Sequence, residues 1–187
     1  VNVGNESLVE WNDHLVSLES MVKYLTTVRS RIQQPVTTAD NYKVFANYGT
    51  ALADHLDFLA VHTYPQWEGK RIEQALPFTV ENLLEIRQVL PRKTIAISEA
   101  GWATTASEFG ERASEEKQAI HYQELMEFGS FHNITVFWFE AFDEEETEEA
   151  AAQDLPKIPP FDEKEQLNME KEVLGYYLTS HPLAEHE

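Results

Sequence analysis

Apolar and polar positions follow two different periods along the chain, and the two periods alternate. Short runs of apolar and β-branched residues are separated by longer stretches in which an apolar residue recurs every three or four positions. This pattern predicts strands at 1–4, from 36, at 57–62, from 94 and at 134–139, and helices at 15–32, 45–56, 79–90, 114–129 and 169–180. Alternating strands and helices with short connections predict βαβ units and therefore a parallel sheet.

Residues 94–102, which read TIAISEAGW, form the most informative of these strands. A buried strand that runs directly into Glu99, Gly101 and Trp102 suggests a carboxylate presented at the strand end for a reaction on a sugar. A solvated glutamate at the end of an ordinary strand is the alternative, and this stretch alone leaves both interpretations open.

Acidic, amide and aromatic residues follow five successive strands. An open doubly wound sheet gathers its ligand groups at one switch point, whereas a (β/α)8 barrel collects them from the carboxyl ends of many strands. The pattern therefore favours a (β/α)8 TIM barrel. The residues at the strand ends are Asn5 and Glu6, then Asp40 and Tyr42, then His62, Tyr64 and Trp67, then Glu99 and Trp102, and finally Glu140 and Glu144.

Composition excludes several classes of protein. The formal net charge of −19 argues against a nucleic-acid partner, which needs a basic surface, and more than half of the excess negative charge lies in residues 143–187. No apolar run approaches the ~18 residues of a membrane span, and no glycine-rich phosphate loop is present. The chain has no cysteine, so disulfides and thiolate metal sites are excluded.

Four short motifs lie at the strand ends: VGNE at 3–6, VHTYP at 61–65, ISEAGW at 97–102 and FWFEAFDE at 137–144. Together they resemble glycoside hydrolase family 17, especially its bacterial members. The resemblance implies a β-1,3-glucan-active enzyme on a (β/α)8 barrel and a secreted or periplasmic location. It also implies that Glu6 is the acid/base, that Glu99 is the nucleophile, that Asn5 is the preceding amide and that Tyr64 lies beside the nucleophile.

The residue types fit that chemistry. Retaining cleavage of a glycosidic bond needs two carboxyl groups ~5 Å apart, one as nucleophile and one as proton donor. A tyrosine hydroxyl such as that of Tyr64 helps the nucleophile to stay ionised. No metal and no cofactor is required, and no histidine pair has metal-ligand spacing.

Further residues are predicted to bind the glucan. Aromatic rings at strand ends can stack on sugar faces, and neighbouring polar groups can bond sugar hydroxyls. The predicted substrate-binding residues are Asn5, Asp40, Tyr42, His62, Tyr64, Trp67, Trp102, Trp138, Glu140 and Glu144. The alternation of residues along the last strand predicts that Trp138 points into the barrel, whereas Phe137 and Phe139 face the helices.

The chain departs from the family pattern in two places. It begins at the fourth barrel strand, so residues 1–144 are expected to form the C-terminal part of a barrel, covering strands four to eight. Residues 145–187 are expected to form an acidic linker and a terminal helix that closes the barrel, with Thr147 where the family has a lysine. The missing strands are expected to come from another chain or segment, or from self-association.

Two classes of function remain open from the sequence. The first is an enzyme, either a retaining β-1,3-glucan hydrolase acting on laminarin-like substrates or a transglycosylase that uses the same residues. The second is a non-catalytic glucan-binding or structural barrel fragment.

Overall fold

The structure, a computed structural model, describes residues 1–105 and 108–140. Strands and helices alternate along this part of the chain, as the sequence pattern predicts. The strands are β1 (Asn2–Asn5), β2 (Thr37–Asn41), β3 (Leu59–His62), β4 (Ile95–Ala100) and β5 (Thr135–Trp138). The helices are α1 (Leu18–Arg29), α2 (Tyr42–Leu52), α3 (Ala75–Val89) and α4 (Glu115–His132), with short 3₁₀ turns at Ala53–His55, Ile72–Gln74 and Gly110–Arg112.

The five strands of the described residues form one parallel sheet in the order β1-β2-β3-β4-β5. Each strand lies beside the next one in the sequence, which is the strand order of a barrel wall. The parallel α/β sheet predicted from the sequence is therefore confirmed.

Side-chain caps set the helix ends more tightly than hydrophobic periodicity does. The Ser17 hydroxyl accepts a hydrogen bond from the backbone amide of Ser20, so α1 begins at Leu18 rather than at residue 15. Ser114 caps α4 in the same way, and Asn133 ends that helix in the left-handed conformation.

The two faces of the sheet differ in chemistry. Leu59, Val61, Ile95 and Ile97 belong to the apolar core, which also includes residues from all four helices. The alternate positions face away from the helices. There, Ala39 pairs with Ala60 and Ala60 with Ala96, forming a row of small side chains across three strands. The inner face of the sheet, meaning the face turned away from the helices, therefore has a floor of methyl groups.

The orientation predicted for β5 is wrong. Val136 and Trp138 pack against the core, while Phe137 is 60% exposed and Phe139 is 47% exposed. Gly129 of α4 explains the orientation, because a Cβ built on it would lie 2.7 Å from Cγ2 of Val136. This close approach of α4 directs Val136 and Trp138 to the helices, so Phe137 and Phe139 point to the inner face.

Several sequence predictions lie outside the described residues. They are the acidic linker and terminal helix of residues 145–187, the role of Glu144 and the substitution at Thr147. Among the helices that the structure does describe, none combines the length and the apolar character needed to cross a bilayer.

Candidate active site

Irregular pairing at the ends of β1 and β4 determines the position of both glutamates. In β4, Ile97 pairs with Val61 and Glu99 with His62, so one extra residue is accommodated. The pairing with β5 shows the same shift, because Ile97 and Ala100 lie opposite Val136 and Trp138. A bulge of this kind redirects a side chain, and here it places Glu99 on the inner face although Ile97 faces the helices.

The first strand carries a similar irregularity. Asn2 pairs with Thr37 and Asn5 with Ala39, so β1 also holds one residue more than its partner strand. Gly4 supplies the required backbone conformation with φ of 82°, and Glu6 follows with φ of 47°. Both glutamates therefore follow a local break in strand pairing.

The two carboxylates meet at a histidine. His62 is completely buried, and its Nδ1 lies 3.0 Å from Oε1 of Glu6. Its Nε2 lies 3.4 Å from Oε1 of Glu99, without the geometry of a hydrogen bond. One side-chain nitrogen or oxygen atom from each of Glu6, His62 and Glu99 lies within 4.8 Å of the other two, so the two carboxylates are close neighbours.

Tyr64 completes this cluster by donating a hydrogen bond of 2.8 Å from its hydroxyl to Oε2 of Glu99. Burial and the negative charge of Glu99 raise the pKa of the Tyr64 hydroxyl, so it stays protonated and remains a donor. Glu6 and Glu140 also raise this pKa, which places Glu140 close enough to act on the same hydroxyl. The ring of Tyr64 meets Phe139 edge-on with the ring centroids 6.3 Å apart.

Three predicted substrate-binding residues have other surroundings. Asp40 is fully buried and accepts hydrogen bonds from the backbone amides of Leu8 and Asn41, so its carboxylate is not available to a sugar. Tyr42 packs its ring against Phe78 in the core. His62 is likewise inaccessible and contacts the glutamates instead. The predictions for Asp40 and Tyr42 are corrected because strand-end position alone does not reveal which face of the sheet a side chain occupies, and the prediction for His62 is corrected because its ring is buried beside the two glutamates.

The predicted aromatic residues also separate into two groups. Trp67 is 65% exposed and rests edge-on against Phe109 at 4.7 Å between ring centroids. Trp102 is only 3% exposed, and Trp138 packs against the rings of His121 and Tyr122 on α4. Trp67 alone of these three tryptophans thus presents an open ring. Asn5 ends β1 with an exposed side chain.

A set of hydrogen bonds that no sequence motif indicates joins the loops after β3 and β4. The Gln66 side chain accepts from the Ala103 amide at 2.7 Å, and Arg112 donates to the Gln66 carbonyl at 2.9 Å. The backbone carbonyl of Arg112 accepts a hydrogen bond from the Trp102 indole. The backbone carbonyl of Trp102 accepts one from the Gln118 side chain. No motif marks these residues, although Gln66 lies only two positions beyond Tyr64.

His121 is a buried titratable group behind the site. It is completely buried on α4 and lies between Trp102 and Trp138 at ring distances of 5.7 and 5.5 Å. Both ring nitrogens lack a hydrogen-bond partner in the described residues. Burial lowers the pKa of His121 from 6.5 to about 4, so the folded protein holds this imidazole neutral.

We expect His121 to make folding less stable in acid. An unfolded histidine takes up its proton near pH 6.5 and the folded one only near pH 4. The difference corresponds to about 3 kcal/mol, lost progressively as the pH falls through this interval. Urea titrations at a series of pH values should show that His121→Leu removes this part of the pH dependence. The matched His132→Gln variant, at an exposed position of the same helix, should retain it.

The Glu6, His62 and Glu99 atoms also satisfy a simple distance criterion for a metal site. However, the His62 Nδ1 atom already contacts Glu6, and the opposite ring nitrogen faces Glu99. Two close carboxylates with a phenol donor are sufficient for glycosidic cleavage without a metal. A parallel βα sheet with this pair at its carboxyl ends defines a glycoside hydrolase type of site.

Comparison with known proteins identifies the family. The chain belongs to the BtgE/BtgC glycoside hydrolase domain family, whose model matches residues 1–154. A protein of Schizosaccharomyces pombe named glucan 1,3-beta-glucosidase is 28% identical over 159 residues, covering 78% of this chain and 49% of that protein. A protein of the same name from Arthroderma benhamiae is 29% identical over 156 residues, covering 77% and 50%.

Solved structures agree in fold. An endo-laminarinase from Formosa superposes with a TM-score of 0.69 at 25% identity, covering 76% of this chain and 49% of that one. A glycoside hydrolase family 17 beta-1,3-glucanosyltransferase from Rhizomucor miehei gives 0.69 at 26% identity, covering 77% and 53%. The chain thus spans about half the length of the relatives it matches, and its sheet corresponds to part of a TIM barrel.

Proposed function

We propose that this chain carries the catalytic carboxylates of a retaining glycoside hydrolase that acts on β-1,3-glucan. In this proposal, Glu99 is the nucleophile that attacks the anomeric carbon. Glu6 protonates the departing sugar and then activates the water that releases the glycosyl-enzyme.

The observation that carries the proposal is the arrangement of Glu6, Glu99 and Tyr64. One oxygen of each carboxylate lies within 4.8 Å of the other, which matches the ~5 Å of retaining enzymes and is shorter than the ~6.5 Å or more of inverting ones. The Tyr64 hydroxyl donates to one oxygen of Glu99 and so orients the carboxylate that is proposed to attack. Among the described residues no tyrosine hydroxyl donates to Glu6, and this asymmetry supports the division of roles.

His62 supports the same roles as a positioning residue. It is buried between the carboxylates and contacts each through a different ring nitrogen. Because its position is set by the β3 backbone, it fixes the spacing of Glu6 and Glu99 rather than touching the sugar.

The β-1,3-glucan assignment rests on the names of the relatives together with the site. The R. miehei enzyme has also been solved as an active-site mutant in complex with laminaritriose, at 26% identity to this chain and a TM-score of 0.68. Trp67 offers an exposed ring in the loop after β3 that fits stacking on a pyranose, and Asn5 and Glu140 can bond sugar hydroxyls. A bacterial family 17 type remains part of this proposal.

Transglycosylation is the second candidate, favoured by the glucanosyltransferase among the structural neighbours. It would use the same glycosyl-enzyme on Glu99 and replace water by a sugar hydroxyl in the second step. Catalysis in either form needs a closed sugar-binding cleft. We propose that this chain supplies strands four to eight, that another segment or chain supplies strands one to three, and that the protein acts outside the cytoplasm.

Covalent trapping tests the proposal. The complete protein that contains this chain would be incubated with an activated 2-fluoro laminarioligosaccharide, digested and analysed by mass spectrometry. We expect the label on Glu99 and none in a Glu99→Gln variant. A label on Glu6, or a reaction that proceeds with inversion, would contradict the assignment.

A further inference from the structure

Glu6 has an unusual backbone conformation for the residue proposed as the acid/base. Its φ of 47° lies in the left-handed region, which residues other than glycine enter at an energetic cost. Such a conformation persists only where the surroundings hold it. The contacts of the Glu6 segment therefore show what sets the position of the carboxylate.

Backbone and side-chain hydrogen bonds fix this turn on both sides of Glu6. The Glu6 amide donates to the Ala39 carbonyl at 2.9 Å, as an extension of the sheet. The Glu6 carbonyl accepts from Nδ2 of Asn12 at 2.7 Å. Beyond it, the Leu8 amide donates to Oδ2 of Asp40 at 3.0 Å, and the other Asp40 oxygen accepts from Asn41 at 2.8 Å.

Asp40 occupies a costly position for a carboxylate. It lies opposite Val61 in the sheet register, on the face that carries the apolar core, and it is fully buried. Burial raises the pKa of the Asp40 carboxyl to about 6, although the two backbone amides partly offset the effect. Glu6 and His62 are the charged or titratable groups that act on it. An ionised group in this position lowers stability, which suggests a role other than stabilising the fold.

We propose that Asp40 and Asn12 are positioning residues that hold Glu6 in its left-handed conformation and thereby aim its carboxyl group at the leaving oxygen. Asp40 fixes the turn two residues after Glu6, and Asn12 fixes the Glu6 carbonyl. Neither needs to touch the substrate. This inference rests on the proposed role of Glu6 as acid/base.

Moving the Glu6 carboxyl group away from the leaving oxygen should affect the reaction rate differently for different leaving groups. Protonation matters when the departing group is a poor one, such as a sugar, and matters little when an acidic phenol leaves. Loss of the Asp40 contact should therefore slow poor substrates and spare activated ones. A general loosening of the fold would slow both alike.

The experiment measures kcat/KM of the complete protein with aryl laminarioligosides whose phenols span a range of acidity. For Asp40→Asn, we expect kcat/KM to fall about 10- to 100-fold with the poorest leaving groups and less than about 3-fold with the best. In this variant, kcat/KM should depend more steeply on the acidity of the departing phenol than it does in the wild type. Asn12→Ala, outside the apolar core, should steepen it too and decides the question if Asp40→Asn fails to fold.

A matched control is available at Asp57. This carboxylate also accepts a backbone amide, that of Val36 at 2.7 Å, but it pairs with Arg29 rather than with the site. Asp57→Asn should leave the dependence of kcat/KM on the acidity of the leaving group unchanged.

Glu6→Gln distinguishes failure of the positioning role of Asp40 and Asn12 from failure of the acid/base role of Glu6. If Glu6→Gln steepens the dependence and neither Asp40→Asn nor Asn12→Ala does, the positioning role is overturned while the proposed function stands. If Glu6→Gln itself leaves the dependence unchanged, the acid/base assignment fails, and the positioning role fails with it.

Discussion

Replacing Glu99 with glutamine in the complete protein is expected to abolish glucan cleavage, with kcat reduced on the order of 10⁴-fold or more. A neutral amide cannot attack the anomeric carbon, although it preserves the volume of the side chain and can still meet Tyr64. Release of reducing sugar from laminarin, with thermal unfolding measured in parallel, checks the result. The unfolding midpoint should change little, because Glu99 is not part of the apolar core.

Glu6→Gln is the companion variant, and its expected pattern differs. Cleavage of laminarin should fall about 10²- to 10⁴-fold, since a general acid has been removed. The first step with a dinitrophenyl glycoside should survive, because that leaving group needs no proton. Azide should then accelerate turnover by replacing the water that Glu6 would have activated. If the responses of the two variants were exchanged, the roles of the glutamates would have to be exchanged too.

Gly101→Ala should damage both the fold and the site. A Cβ at this position would lie 1.6 Å from the carbonyl oxygen of Phe139, and a backbone atom cannot rotate away as a flexible side chain can. The exit of β5 would therefore have to move away from β4. We expect a loss of several kcal/mol in the free energy of unfolding, measured by urea titration.

Activity should fall with it, because Phe139 contacts the ring of Tyr64 and Glu140 follows directly. Gly110→Ala is the appropriate control. Gly110 also has positive φ, of 52°, but an added Cβ would meet nothing within 4 Å. Gly110→Ala should lower the free energy of unfolding by only about 1 kcal/mol, because of backbone strain. Equal losses in the two variants would show that the close approach at Gly101 does not limit stability.

The sequence predicts the alternation of strands and helices well, because hydrophobic period reflects burial directly. Predicted helix bounds differ from the observed ones where caps decide them, as at Ser17. Within helices the period gives the wrong face in places. Leu84 and Ile120, apolar residues of the predicted helices at 79–90 and 114–129, are 57% and 40% exposed. In α4 the buried residues are His121, Leu125 and Gly129, a stripe chosen by the fit against β5 rather than by hydrophobicity.

The two glutamates proposed as the catalytic pair, Glu6 and Glu99, could be found from the sequence, because each lies at a strand end within a motif. The faces of the other candidates could not. Asp40 lies near the end of β2, as Glu99 does in β4, and Tyr42 directly follows β2, yet Asp40 and Tyr42 lie on the core side. Their orientation depends on strand register and on the packing of α2. The contacts of Gln66 with Ala103 and Arg112 join residues distant in sequence, and Asn12 bonds Glu6 across six residues that form no recognisable motif.

The bulge in β4 separates two constraints that a regular strand would tie together. Ile97 and Ala100 both belong to the core on one face, while Glu99, one of the two residues between them, lies on the other face. Substitutions among the core residues can therefore accumulate without moving the proposed nucleophile, Glu99. The length of this short segment is more constrained than its apolar content. A sequence alignment that forbids gaps inside this strand would equate Glu99 with helix-facing residues in proteins lacking the bulge. A catalytic glutamate could then be overlooked in a relative whose fold is otherwise correctly recognised.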